Sequence, residues 1–143
     1  MIYTDMTKKA QKLCFEAHKE QVDKSGLPYV FHPFHLAEQM ESEETTVVAL
    51  LHDVVEDTDY TIEDLTAMGF DKAVTDAIAL MTHADGVDYM DYVRAIKDNP
   101  IAKVVKLADL THNSDLSRLD IIDEKALQRV KKYKEAIKIL SEN

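Results

Sequence analysis

The chain has 143 residues, of which 45% are hydrophobic and 31% are charged, and its formal net charge at pH 7 is −10. This length suits one domain with its own core, and the negative charge argues against general binding to nucleic acids or anionic membranes. The single cysteine, Cys14, excludes an intramolecular disulfide, and the sequence shows neither a signal-peptide pattern nor an apolar stretch of membrane-spanning length. We therefore expect a cytoplasmic protein whose residues 1–143 form one domain.

Apolar residues recur at intervals of three and four along nearly the whole chain, which predicts helices, and no segment alternates as a strand would. The low numbers of glycine and proline, three of each, also favour helices over many tight turns. The sequence therefore predicts an all-α fold, a compact bundle of about seven or eight helices. In chain order, the predicted helices cover residues 3–21, 34–40, 42–58, 61–69, 71–83, 89–97, 100–113 and 124–140.

The first connection and the start of the next two helices carry clear local signals. Residues 25–28 (Ser-Gly-Leu-Pro) predict a turn. Pro33 suits the first position of the second helix, so His32 should precede that helix in an extended conformation, as a rigid mount for a ligand. Ser42 is expected to cap a third, continuous helix over residues 42–58.

The last two helices differ in character. The helix over residues 100–113 is mostly apolar and should be buried, yet it contains Lys106, Asp109, His112 and Asn113. Two of these, Asp109 and Asn113, lie one turn apart and should face the same way. The final helix is expected to bury one stripe of apolar residues, formed by Leu127, Val130, Ile137 and Leu140.

The most informative stretch follows the apolar residues 47–51, which lead directly into His52, Asp53, Glu56 and Asp57. On one continuous helix each residue turns by about 100°, so these four side chains would share one arc of its surface. Burying unpaired charge is costly, and a bound cation would compensate for it. The alternative is a solvated acidic helix end, which the apolar preceding turn disfavours.

Residues distant in the sequence supply matching chemistry. The candidate metal ligands are His32, His52, Asp53 and Asp109. Two imidazoles and two carboxylates suit Mn²⁺, Fe²⁺ or Zn²⁺ better than Mg²⁺ or Ca²⁺. Four protein ligands would leave positions open on a six-coordinate ion for water and a substrate oxygen, which is typical of a catalytic centre. Glu56 and Asp57, beside this centre, are then the candidates for moving protons.

Three blocks of sequence resemble the HD superfamily of metal-dependent phosphohydrolases. They are residues 24–33 (KSGLPYVFHP), residues 52–58 (HDVVEDT), and residues 105–109 (VKLAD) followed by His112 and Asn113. Over residues 17–119 the chain is most similar to the hydrolase domain of RelA/SpoT homologues and to small alarmone hydrolases. This resemblance implies a helical HD domain that hydrolyses the 3′-diphosphate of (p)ppGpp to GDP or GTP and pyrophosphate, usually with Mn²⁺. A synthetase domain would need more residues than this chain has, so pyrophosphoryl transfer from ATP is not expected.

The resemblance also implies a role for each matched residue. It implies metal ligation by His32, His52, Asp53 and Asp109, and a catalytic pair formed by Glu56 and Asp57. Lys24, with Ser25 beside it, matches the basic loop that meets the nucleotide. Asn113 matches a polar residue near the ribose and the phosphates.

Three positions depart from the family pattern, which tends to be basic there: Asp23, Leu110 and Asp115. The loss of positive charge should weaken binding of a highly anionic substrate. Two alternatives to a (p)ppGpp hydrolase therefore stay open. One is an HD phosphohydrolase for another nucleotide or phosphoester, and the other is a non-catalytic metal-binding module that senses nucleotides. In each case the expected partner is a small-molecule nucleotide, and neither nucleic acid nor a membrane is expected as a partner.

Overall fold

Helices account for almost all regular structure in residues 1–142, the part of the chain that this computed structural model describes, and within that part the only β-type pairing is an isolated bridge between Val22 and Pro28. The helices are α1 (Asp5–His18), α2 (Phe31–Glu38), α3 (Glu43–Leu51), α4 (Val54–Asp57), α5 (Ile62–Ala67), α6 (Lys72–Met81), α7 (Tyr89–Ile96), α8 (Pro100–Asn113) and α9 (Glu124–Ser141), with a 3-10 turn at Leu116–Arg118. The all-α prediction is confirmed. If α3 and α4 are counted as one interrupted helix, residues 1–142 contain eight, within the predicted number.

Side-chain caps explain where several helices begin, because they satisfy backbone N–H groups that have no partner within the helix. Ser42 Oγ accepts a hydrogen bond from the Thr45 amide at 3.1 Å, as its predicted capping role requires. Thr61 and Asp64 form a reciprocal capping box at the start of α5. At the start of α8, the side chain of Asn99 caps the helix just before Pro100.

The start of α2 differs from the prediction. We expected an extended His32 before a helix that begins at residue 34, but α2 begins at Phe31, and the His32 amide donates to the Tyr29 carbonyl at 3.0 Å. Pro33 therefore lies inside the first helical turn. Proline is tolerated there because the N–H group that it lacks would have no acceptor within the helix. His32 is consequently held by helical backbone rather than by an extended segment.

The predicted continuous helix over residues 42–58 is also wrong. α3 ends at Leu51, and Asp53 has φ −100° and ψ −3°, in the bridge region between helical and extended backbone. The His52 side chain contributes to this break, since its Nδ1 lies 2.7 Å from the Ala49 carbonyl oxygen. In a continuous helix that carbonyl accepts from the Asp53 amide, so the imidazole competes for it. The single-arc geometry assumed for the motif therefore does not hold.

Helix α3 forms the centre of the core. Every residue from Thr45 to Leu51 is buried, and α3 packs against α1, α2, α6 and α8. The apolar burial stabilises the whole bundle, at about 25 cal/mol for each Å² removed from water. Because α3 is enclosed on all sides, the polar residues that follow it at positions 52 and 53 are placed at the inner end of a rigid element.

Within residues 1–142, none of the helices combines the length and apolar character that crossing a bilayer would require. The cytoplasmic location stays a prediction.

Helix α9 packs on α7 and α8, but its buried stripe is partly displaced from the predicted one. Leu140 and Val130 are buried as expected, whereas Leu127 is 48% exposed. Its neighbour Ala126 takes the inward position, and the buried residues Ala126 and Val130 are spaced by four, as one side of a helix requires.

Two leucines of α9 therefore form a matched test of the packing. Leu140→Ala should lower the free energy of unfolding by about 2–5 kcal/mol, because Leu140 is fully buried and its truncation leaves a cavity. Leu127→Ala should change it by about 0.5 kcal/mol or less, as is usual at exposed positions. Urea denaturation of both variants measures the difference, and equal losses would show that Leu140 and Leu127 do not differ in burial.

Candidate metal centre and substrate cleft

Four predicted ligands come together from three parts of the fold. Helix α2 supplies His32, the break after α3 supplies His52 and Asp53, and α8 supplies Asp109. His32 Nε2 lies 2.9 Å from Asp109 Oδ1, and His52 Nε2 lies 3.0 Å from Asp53 Oδ2 and 3.4 Å from Asp109 Oδ1. Ligand atoms of His32, His52 and Asp109, all three buried, lie within 4.8 Å of one another. Asp53 joins this group through its contact with His52.

The protonation of His52 decides whether these residues fit a cation. Its Nδ1 faces the Ala49 carbonyl oxygen, which can only accept, so Nδ1 carries the ring proton. In the neutral ring, Nε2 then presents a lone pair to the carboxylates of Asp53 and Asp109, and within residues 1–142 this buried atom has no hydrogen-bond partner. Burial opposes a charge on His52, but the two carboxylates raise its pKa well above the usual value. Such a position calls for a proton or a cation, and the donor set makes it a candidate divalent-metal site.

Asp109 is held from two further directions by residues of its own helix. Lys106 Nζ donates to Asp109 Oδ2 at 2.9 Å, and Asn113 Nδ2 donates to Asp109 Oδ1 at 3.1 Å. The predicted shared face of Asp109 and Asn113 is thus present. Burial opposes ionisation, but the Lys106 ammonium and the histidine contacts hold the pKa of Asp109 well below its usual range. The carboxylate is therefore charged and fixed in orientation.

His112 orients His32 from the opposite side. Their Nδ1 atoms lie 2.7 Å apart, and their rings are nearly parallel with centroids 5.0 Å apart. Burial, Arg118 and the neighbouring imidazoles lower the pKa of His112 to about 4, so His112 is neutral near pH 7 and can accept a hydrogen bond. Asp109 Oδ1 can only accept, so His32 Nε2 donates to it at 2.9 Å, and an ion bound at Nε2 would replace that proton and leave Nδ1 to donate to His112. A hydrogen bond of this kind, on the ring nitrogen away from the ion, is characteristic of histidine ligands.

Tyr29 orients the Asp53 carboxylate in a similar way. Its hydroxyl donates to Asp53 Oδ2, and its ring lies between the rings of His18 and His32. Burial and the Asp53 charge raise the pKa of Tyr29, so the phenol keeps its proton and remains a donor. Sequence reasoning assigned no role to this tyrosine, although it lies inside the block before His32.

The predicted catalytic pair, Glu56 and Asp57, lies on α4 next to Asp53. Both side chains reach solvent. Partial burial is the main cause that raises the pKa of each carboxyl group, and the negative charge of Asp53 is the second. Glu56 Oε1 also accepts a long hydrogen bond of 3.3 Å from the His83 amide. The two carboxylates can therefore exchange protons more readily near neutral pH than ordinary surface carboxylates.

Two adjoining cavities give access to this centre. The smaller cavity, of about 310 Å³, is lined by Asp53, Glu56, Lys106, Leu110, Asp109 and Asn113. The larger cavity, of about 620 Å³, is lined by Lys24, Ser25, Asp57, Asn113, Arg118 and Arg129. Tyr29, Asn113 and Tyr133 line both, so the two cavities form one cleft with two lobes. All three predicted substrate-binding residues, Lys24, Ser25 and Asn113, lie in the larger one.

Sequence reasoning missed two arginines of the larger cavity. Arg118 comes from the 3-10 turn and Arg129 from α9, and both face the same space as Lys24. They partly offset the acidic Asp23 and Asp115, which also line that cavity. In the sequence, Arg129 belongs to a helix rich in exposed cations, where nothing distinguishes a cleft residue from a solvated one.

Comparison with known proteins places this cleft in a family context, although no protein-family model matches the chain. The chain is 33% identical to the probable GTP pyrophosphokinase of Mycobacterium leprae (strain TN) in an alignment of 144 positions that covers 92% of this chain. It is 36% identical to the bifunctional (p)ppGpp synthase/hydrolase SpoT of Escherichia coli (strain K12) in an alignment of 113 positions that covers 68% of this chain. It is 30% identical to the guanosine-3′,5′-bis(diphosphate) 3′-pyrophosphohydrolase of Aquifex aeolicus (strain VF5) in an alignment of 123 positions that covers 78% of this chain. The chain spans only 16–18% of the length of these relatives.

A solved structure supports the same relationship at the level of the fold. It is described as a metazoan orthologue of SpoT that hydrolyses ppGpp, and it matches this chain with a TM-score of 0.78. The match covers 99% of this chain and 88% of the other, with 23% sequence identity. With the sequence relatives and the convergent His and Asp residues, it shows that the chain belongs to the HD superfamily of hydrolases, among the homologues of RelA and SpoT.

Proposed function

We propose that the chain is a metal-dependent phosphohydrolase that releases pyrophosphate from a guanosine 3′-diphosphate such as (p)ppGpp. The observation that carries this proposal is the buried convergence of His32, His52 and Asp109, of which Asp109 lines a cleft that Glu56 and Asp57 also line. The names of two of the three relatives described above support a hydrolase, since they refer to (p)ppGpp hydrolysis. The third relative is named as a pyrophosphokinase.

The proposed ligands are those predicted from the sequence: His32, His52, Asp53 and Asp109. We propose Mn²⁺ as the ion, with Fe²⁺ or Zn²⁺ as the other ions that this donor set suits. When bound, such an ion supplies Lewis acidity towards phosphoryl oxygens and makes water more acidic. The protein's own contribution is to present unprotonated imidazole nitrogens and ionised carboxylates in fixed directions.

In the proposed reaction, water attacks the phosphorus atom attached to the ribose 3′ oxygen, and the bond between that phosphorus and the 3′ oxygen breaks. Water loses a proton and the departing 3′ oxygen gains one, so two proton transfers are needed. Glu56 and Asp57 are the proposed acceptor and donor, because they line the cleft beside the proposed ligands and burial raises the pKa of each. Lys24, Ser25 and Asn113 are proposed to hold the nucleotide in the larger cavity.

One observation favours a second candidate, a phosphohydrolase for a less anionic nucleotide or phosphoester. Asp23, Asp57 and Asp115 all line the larger cavity and oppose a substrate with many negative charges. A panel of nucleotides incubated with the protein and Mn²⁺ separates the two candidates. Release of pyrophosphate from ppGpp supports the first candidate. Release of inorganic phosphate only, from other substrates, supports the second candidate.

The catalytic pair can be tested apart from the metal. Replacing both residues, Glu56→Gln with Asp57→Asn, should lower kcat about 10²- to 10⁴-fold, because no group remains to accept or deliver protons. Metal content, measured by atomic emission, should not change. Glu135→Gln on α9 is the matched control for the loss of an exposed carboxylate. Full activity in the double variant would remove Glu56 and Asp57 from the mechanism and favour another source of protons.

Metal removal gives a second test. A chelator should lower the melting temperature of the unmodified protein, because an ion at 100 times its Kd stabilises the native state by about 2.7 kcal/mol. His52→Ala should lose both the ion and the response to chelator, whereas His83→Ala should keep both. Calorimetry with and without Mn²⁺ measures the response. A melting temperature that chelator does not change in the unmodified protein would contradict the proposed metal centre.

The hydroxyl of Tyr29 can be removed without removing its ring. Tyr29→Phe should weaken Mn²⁺ binding about 10- to 100-fold, the usual effect of losing a group that orients a metal ligand. The ring contacts to His18 and His32 should persist and keep the fold intact. Titration with Mn²⁺ measures the affinity, with Tyr3→Phe at an exposed position as the control. Equal affinities in all three proteins would mean that Tyr29 does not support Asp53.

A further inference from the structure

Arg118 is held in the larger cavity by one side of its guanidinium group. Nη1 donates to the His112 carbonyl oxygen at 3.1 Å and to Asn113 Oδ1 at 3.2 Å. Among residues 1–142, Asp23 supplies the one carboxylate within 4.0 Å, and its Oδ2 lies at that limit from Nη2. The Arg118 side chain is 25% exposed. One edge of the guanidinium is therefore fixed by hydrogen bonds. The other edge faces the cavity, with Asp23 at the distance of a loose ion pair.

Asp23 cannot close this gap without opening its own loop. Its Oδ1 accepts hydrogen bonds from the amides of Ser25 at 2.8 Å and Leu27 at 3.0 Å. The same loop is tied to the arginine's backbone, because Ser25 Oγ donates to the Arg118 carbonyl oxygen at 2.6 Å. These bonds hold the carboxylate and the guanidinium as facing neighbours that do not form a direct hydrogen bond.

The position of Arg118 relative to the metal centre indicates what it would meet. Asn113 accepts from Arg118 and donates to Asp109, so a single amide connects the arginine to a proposed metal ligand. A nucleotide with its 3′-diphosphate at that centre can extend into the larger cavity, because Asn113 and Tyr29 line both lobes. The remaining anionic groups of such a nucleotide are its 5′-phosphates. A planar guanidinium with a free edge is well suited to bind phosphate oxygens.

We propose that Arg118 binds the 5′-phosphates of the substrate and that Asp23 is a fixed counter-ion which competes with those phosphates for the guanidinium. This inference rests on the proposed function. The pair thereby sets how strongly the site discriminates between substrates with different numbers of 5′-phosphates. Arg118 attracts the 5′-phosphates, and the negative charge of Asp23 weakens that attraction while its side chain stays hydrogen-bonded within the loop.

Two variants test the pair from opposite sides. Asp23→Asn keeps an oxygen that can accept from Ser25 and Leu27 but removes the competing charge, so KM for ppGpp should fall about three- to fivefold. Arg118→Gln removes the phosphate-binding edge, so KM for ppGpp should rise about tenfold or more. Guanosine 3′-diphosphate, which has no 5′-phosphate, should show less than about a twofold change in KM with either variant, since no phosphate then meets Arg118.

A matched control separates this pair from the general charge of the cavity. Asp115 lines the same cavity and accepts hydrogen bonds from Ser117, much as Asp23 does from its own loop. Asp115→Asn removes the same charge at a carboxylate that forms no ion pair with Arg118 within 4.0 Å in residues 1–142. It should therefore lower KM for ppGpp less than Asp23→Asn does. Metal content, measured in every variant, shows whether the contact of Asn113 with Asp109 has been disturbed.

The KM values of the three variants for the two substrates distinguish the possible outcomes. A selective effect on ppGpp, larger for Asp23→Asn than for Asp115→Asn and opposite in sign for Arg118→Gln, supports the assignment. If ppGpp and guanosine 3′-diphosphate respond alike, or if Asp115→Asn acts as strongly as Asp23→Asn, the role of Arg118 is overturned while the proposed hydrolase stands. If the unmodified protein hydrolyses neither compound with Mn²⁺ present, the proposed function fails and this inference fails with it.

Discussion

The tie between His52 Nδ1 and the Ala49 carbonyl is the contact on which the rest of the centre depends. It helps to interrupt the helix after Leu51, and it selects the tautomer whose Nε2 turns towards Asp53 and Asp109. The buried α3 makes this arrangement rigid, since its last turns are enclosed by four other helices. A side chain that both ends a helix and orients a nitrogen towards two carboxylates joins folding to chemistry in one residue.

Around His52, each proposed ligand has a partner that sets its charge or direction. Lys106 and Asn113 hold Asp109, Tyr29 holds Asp53, and His112 holds His32. The partners come from α8 and from the segment before α2, so the centre is assembled by helix packing rather than by one local motif. This explains why the donors are fixed closely enough to meet at one point although they are up to 77 residues apart.

The sequence predicts the parts of this structure that local patterns encode. Helical periodicity locates the elements, Ser42 reveals a cap, and the residue types of His52 and Asp109, together with the family resemblance, mark them as candidate ligands of one ion. It fails where tertiary contacts compete with local preference. Predicting the interruption at Asp53 requires knowing that the His52 side chain hydrogen-bonds a backbone carbonyl. Predicting that α2 includes Pro33 requires knowing the conformation of the turn before it. Arg118 and Arg129 are missed because only the fold shows which surface cations face a cleft.

The cleft draws its two lobes from different parts of the sequence. The proposed ligands lie on α2, on α8 and in the break after α3, whereas the cations of the larger cavity come from the loop at Lys24, the 3-10 turn at Arg118 and α9 at Arg129. On the proposed function, substitutions in those three peripheral segments would alter recognition of the nucleotide without touching a proposed metal ligand. Substrate preference in such a hydrolase could then drift during evolution while the metal centre is inherited unchanged, so that paralogues with identical His and Asp sets need not share a substrate.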